Sequence, residues 1–195
     1  MISKIQLFSA ISLIVLLFSC HRDDTAEQPR MEYFELNNRE IAFGLQSYSL
    51  DVNQDGRKDI RFYTQLVGDP IAQEEKVQFI VSSSIGVCLP VNADENIPVL
   101  NKSDIIWVKD FGSYQWFELS AIVLTQKIVS SATGTIRWDG MWKNAAHKFV
   151  SFQVQSTGRK YNGWVELSTD TVSEKIILHR AAICKSPDLD IYAGN

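Results

Sequence analysis

Residues 51–59 read DVNQDGRKD, placing oxygen-bearing side chains at alternate positions: Asp51, Asn53, Asp55 and Asp59. Calcium is a hard cation that takes six to eight oxygen ligands at about 2.3–2.6 Å. In a tightly wound loop, alternate positions turn their oxygens inward. Gly56 permits the sharp turn, and the carbonyl of Arg57 adds a main-chain ligand. Asp59 closes the shell directly or through a water. One divalent ion also relieves the repulsion among three neighbouring carboxylates. An EF-hand needs Glu at the twelfth position, where this chain has Phe62, and the flanks LQSYSL and IRFYTQLV read as strands. The pattern therefore predicts a calcium loop between strands, of roughly micromolar to millimolar affinity in the absence of a bidentate Glu. The competing reading is a set of β-turns and Asx-turns without metal, since Asp-Gly and Asn-x-Asp favour both.

Other chemistry is sparser. His21, His147 and His179 lie far apart and form no H-x-x-x-H pair, and there is no G-x-S-x-G elbow. Paired acids suited to glycoside hydrolysis are not evident. Glu118 shares a strand face with Trp116, but one carboxylate is half of what that reaction needs. RWDGMW places Trp138 and Trp142 around a turn at Asp139-Gly140. Exposed, these indoles stack on sugar rings, with Asp139 and Asn144 supplying hydrogen bonds; buried, they pack a core. Cys88 and Cys184 either form a disulfide or remain as two buried thiols.

The elements that must position these groups are strands. KVQFIVSSS, WFELSAIVL, KFVSFQVQS, GWVELST and KIILHRAAI are short, rich in β-branched and aromatic residues, and bounded by turn residues. In IRFYTQLV, alternation puts Ile60, Phe62, Thr64 and Leu66 on one side. Turns are expected at Gly68-Asp69-Pro70, Asp139-Gly140 and Thr157-Gly158. Only IVSSATGTIRWDGMWKN leaves room for a helical turn. The spacing predicts an all-β fold, an antiparallel β-sandwich of jelly-roll-like character, as a single domain over residues 31–195. No period of 20 to 50 residues repeats, which argues against a propeller or solenoid.

The N-terminus has a different character. Residues 1–19 carry Lys4 and an apolar run from Leu7 to Phe18, the layout of a signal peptide. The segment ends Leu17-Phe18-Ser19-Cys20, which resembles the lipobox of bacterial lipoproteins. The resemblance implies that Cys20 is lipidated and holds the protein to the outer membrane, on its periplasmic or exterior face. Residues 20–30 read as a flexible tether. Removing residues 1–19 takes one lysine from a formal net charge of −4, leaving −5. With its basic residues scattered, the chain has no footprint for nucleic acid.

Near the end stand Tyr161-Asn162-Gly163-Trp164-Val165 and Ile191-Tyr192-Ala193-Gly194. With the D-x-[DN]-x-D-G-x-x-D loop, these segments resemble secreted bacterial β-sandwich proteins and lipoproteins of the Bacteroidota type. The likeness implies a calcium-associated sandwich and no particular reaction. It carries Asp51, Asn53, Asp55 and Asp59 to the loop, and Gly163 and Trp164 to the late segment. Gly163 is expected to allow close backbone approach and Trp164 to fill core. The function expected is a surface-anchored lipoprotein with a calcium-stabilised β-sandwich, in a binding or structural role without catalysis. Its partners are the membrane, through the lipid, and a glycan or another surface protein. A carbohydrate-binding module of glycan uptake is the alternative, and a jelly-roll hydrolase or lyase the third.

Overall fold

The computed structural model describes residues 29–195, so the signal segment, Cys20 and nearly all of the tether lie outside the described residues. Among the described residues there is no helix. The strands are β1 (Met31–Ala42), β2 (Tyr48–Leu50), β3 (Ile60–Asp69), β4 (Glu74–Ser83), β5 (Val87–Val91), β6 (Ile105–Ile106) and β7 (Gln115–Glu118). They continue with β8 (Ala121–Ser130), β9 (Ile136–Asp139), β10 (Lys148–Ser156), β11 (Arg159–Asp170), β12 (Lys175–Cys184) and β13 (Ile191–Tyr192).

Six strands form one sheet in the order β1-β12-β11-β10-β5-β7, five form another in the order β2-β3-β4-β8-β9, and β13 pairs with β6. Every pairing is antiparallel. The molecule is an antiparallel β-sandwich. Between the two large sheets lie Ile60, Phe62, Phe79 and Leu124 from one side and Val150, Phe152, Val165 and Leu178 from the other. Alternation explains these positions, because each inward residue is two from the next. The pattern in β3 fades toward its end. Ile60 and Phe62 are buried, whereas Leu66 is half exposed.

The six-stranded sheet is covered on part of its other face too. There β6 and β13 lay Ile106, Ile191 and Ala193 over Phe149, Trp164 and Cys184. Trp164 is fully buried, edge-on to Phe149 with ring centroids 5.2 Å apart. Gly163 faces Phe152 across the β10–β11 pair. A Cβ at Gly163 would strike the Phe152 ring and sit 2.6 Å from the Ala182 carbonyl oxygen. The close approach expected of Gly163 is thus a contact with an aromatic ring. The β10–β11 hairpin turns on Thr157 and Gly158, at φ 50° and 75°. Two successive left-handed residues match the twist of a tight hairpin. RWDGMW falls in β9 and the turn after it.

Candidate functional site

The 51–59 loop joins β2 to β3 and reaches out of its own sheet. Val52 plugs the core at 1% exposure, and Gln54 Nε2 donates to Glu32 Oε1 on β1 of the facing sheet at 2.8 Å. The connection therefore straddles the open end of the sandwich. Asp51 is turned inward along the loop. Its Oδ1 accepts from the Asp55 N–H (3.1 Å) and its Oδ2 from the Gly56 N–H (2.9 Å). Asn53 Oδ1 accepts from the same Asp55 N–H at 2.9 Å, and Asp55 Oδ1 from the Arg57 N–H at 2.8 Å. Gly56 has φ 89°, which a side chain would resist.

Asp59 lies underneath, 4% exposed, with Oδ2 accepting from the Val52 N–H at 2.8 Å. Burial pushes its carboxyl above the ordinary value of 3.8 despite those N–H bonds, and the charges of Asp55 and Asp51 push the same way. The Arg57 N–H does the most to hold Asp55 below that value, with Asn53 and the Arg57 guanidinium adding to it. Arg57 is the ion-pair partner of Asp55, and its side chain is 79% exposed. Asn53, Asp55 and Asp59 border a cleft of about 360 Å³, whose opposite wall includes Ile85, Leu119 and Gln155. Among the described residues no three His, Cys, Asp or Glu side chains are grouped closely enough to hold a metal by themselves. Any cation here would also draw on the Asn53 amide and the Arg57 carbonyl, and Asp55 would have to leave Arg57.

No match came from protein-family models, curated proteins or solved structures. The site must be read from its own chemistry.

The tryptophans do not form the sugar face that the carbohydrate-binding alternative needs. Trp142 is buried at 1% exposure, which corrects its reading as a ligand contact: its side chain joins the core between the sheets, and its backbone N–H donates to the Leu124 carbonyl of β8. Trp138 is half-buried against Phe79, with ring centroids 5.6 Å apart. Asp139 stays exposed, and the Gly140 N–H holds its carboxyl below the ordinary value. Trp116 packs at a tilt against Phe111, ring centroids 6.2 Å apart, and Glu118 accepts from the Gly86 N–H at the sheet edge. Trp107, a residue the sequence pattern did not single out, is 42% exposed.

The cysteines are free and buried, which corrects the disulfide reading. Cys88 pairs with Gln153, and Gln153 with Asn162, which stands one step beyond the Gly163–Ile183 pair and so beside Cys184. Three interstrand steps of about 4.8 Å separate the thiols by roughly 14 Å. A disulfide needs Cα atoms about 4.4–6.8 Å apart. Burial raises both thiols above their ordinary pKa, so neither is a ready nucleophile.

A second cluster, hidden in the sequence, lies on the outer face of the six-stranded sheet. His147, Glu166, Ser168, His179 and Arg180 meet there with Asn38 of β1. His147 and His179 stack with ring centroids 4.4 Å apart. The buried Glu166 carboxylate accepts from Arg180 Nε and bonds His147 Nδ1 at 2.8 Å. Two irregularities make the cluster. β1 inserts residues between Glu35 and Arg39, and β12 has one residue more than β11 opposite Glu166–Leu167. The extra residue is His179. The bulge turns it to the same face as Arg180.

Proposed function

We propose that this chain is a surface-anchored lipoprotein whose β-sandwich is stapled by calcium at residues 51–59 and serves a binding or structural role. One observation carries the reading. The loop bridges the two sheets at their open end, and of its three carboxylates Asp59 is buried beneath it. Among the described residues the ion-pair partner for these acids is the largely exposed Arg57. A divalent cation would neutralise that charge and fix the bridge, which is how a bound ion becomes folding free energy. The ligand set is Asp51, Asn53, Asp55, the Arg57 carbonyl and Asp59. The lipid on Cys20 gives the membrane as one partner, and a glycan or another surface protein is the other. Of the residues the glycan reading drew on, exposed Asp139 and Asn144 and half-buried Trp138 remain.

Calcium titration of the purified chain, by calorimetry and thermal melting, tests the staple. At a free concentration 100 times Kd the expected stabilisation is about 2.7 kcal/mol. Absence of both heat and melting shift at millimolar calcium would remove the idea. Asp59→Asn sharpens the test. Because the folded carboxyl lies above 3.8, its contribution is full below that pH and is lost as pH rises through the folded value. At neutral pH without calcium the variant should therefore melt no lower than the parent, since its amide oxygen still accepts the Val52 N–H. With calcium it should show no gain. Incorporation of an alkynyl fatty acid in bacteria, abolished by Cys20→Ser, tests the anchor.

A further inference from the structure

We propose that Ser168 is a reactive nucleophile, its hydroxyl set on the imidazole of His179 and that imidazole oriented by Asn38, able to take an acyl group from a carboxylic ester. Ser168 Oγ stands 2.8 Å from His179 Nε2, and His179 Nδ1 stands 2.8 Å from Asn38 Oδ1. An amide oxygen only accepts, so the proton on His179 sits on Nδ1. The Nε2 lone pair is then the acceptor of the Ser168 hydroxyl proton. Base, nucleophile and orienting group stand within hydrogen-bond reach of one another, which is the arrangement that activates an alcohol.

The surroundings favour the basic form. Burial first, then the charge of His147, with Arg180 adding to them against Glu166, holds His179 below its ordinary 6.5. The His147 N–H donates to Ser168 Oγ at 2.9 Å, which steadies the hydroxyl and leaves one lone pair for attack. Arg180 binds Glu166 through Nε, and its terminal nitrogens have no protein acceptor among the described residues. That guanidinium and the 67% exposed side chain of His147 are the groups on this face that can meet an oxyanion. Asn38 and His147 both hold left-handed backbone, φ 54° and 51°, a cost that the surrounding structure sustains. The face is open, so the ester it suits is an acyl group projecting from a larger molecule. Ser168 lies seven residues along β11 from Tyr161, which shares a second cleft with Asn53 and Asp55, and that span is roughly 23 Å, so this inference is independent of the calcium loop.

In the step itself, Oγ forms a bond to the carbonyl carbon while its proton passes to His179 Nε2. The bond from that carbon to the alcohol oxygen breaks, and the alcohol leaves with the proton from Nε2. Water attacks the acyl-Ser168 ester in the same manner, releasing the acid and restoring the hydroxyl.

The test uses the full chain with a fluorophosphonate probe, whose phosphorus takes Oγ as fluoride leaves, followed by peptide mapping. Turnover of p-nitrophenyl acetate is followed alongside. The expected result is one adduct, on Ser168, absent in Ser168→Ala and slowed about 100-fold in His179→Gln, the size of a general-base contribution. Asn38→Ala should slow labelling and Asn38→Asp preserve it, with circular dichroism confirming the fold of each variant. No adduct on Ser168 in the parent chain would overturn the proposal. So would labelling at an equal rate in a folded His179→Gln, since a merely structural contact would leave reactivity to the serine alone.

Discussion

Glu166 shows how one carboxylate can be both buried and charged. Burial works against its ionised form, yet the hydrogen bonds from Arg180 and His147 outweigh it and bring the carboxyl below its ordinary 4.5. A lowered folded value means the stabilisation is present above 4.5 and disappears as pH falls through the folded value. Glu166→Gln should therefore melt lower than the parent at pH 7, by about 2 kcal/mol for a charge-assisted bond. Melts across pH should show the gap closing in the acid range below 4.5. A gap independent of pH would assign the loss to packing. At this scale the loop acids were legible, because local spacing alone makes Asp51, Asn53, Asp55 and Asp59 neighbours. Trp142 stayed open between ligand contact and core, since an indole beside a turn looks the same in sequence whether it faces water or core. His147 and His179 gave no local signal, being brought together only across strands.

Elements explain that last gap. Strict alternation from Ile176 and Leu178 would send Arg180 into the core, at a cost far above what packing returns. A single extra residue at His179 resets the phase, so that Ala181 and Ile183 face inward and Arg180 faces out. The bulge that spares the arginine also delivers the histidine. The β10–β11 hairpin shows the opposite case, in which the sequence was explicit. Thr157-Gly158 marked its turn, and Gly163 marked a place where backbone must approach a neighbour. Gly163→Ala should destabilise the fold by about 1–3 kcal/mol, because the new Cβ meets the fully buried Phe152 ring and the backbone carbonyl of Ala182. Denaturant melts measure this, and pairing the change with Phe152→Leu should return part of the loss. An unchanged midpoint for Gly163→Ala would mean the ring moves freely.

Across the whole molecule, the six-stranded sheet is buried on its inner face and, beneath β6 and β13, over part of its outer face, so the outer row there carries polar side chains that must find partners indoors. Gln153 and Asn162 bond each other at 2.9 Å, and Asn162 reaches the Ile106 carbonyl of the covering strand at 3.1 Å. Cys88 and Cys184 end the same row with two strands between them. Reducing agent should consequently leave the melting temperature unchanged, and thiol reagents should react fully only after denaturation. A melting temperature that falls on reduction would place a covalent bridge where the sheet order forbids one.

The sequence by itself determined most of the long strands, several of their turns, the antiparallel sandwich and the acid-rich loop, because alternation, turn chemistry and donor spacing act within a few residues. It ran Trp116–Leu124 together as one strand, where the chain turns at Leu119 and Ser120 and passes from β7 in one sheet to β8 in the other. Tertiary structure alone decided which indoles are buried, how far apart the cysteines stand, and that Asn38, His147, Ser168 and His179 meet. Those facts depend on strand order and on phase shifts at bulges. Both are settled by the competition of whole faces for burial, and no single segment encodes that competition.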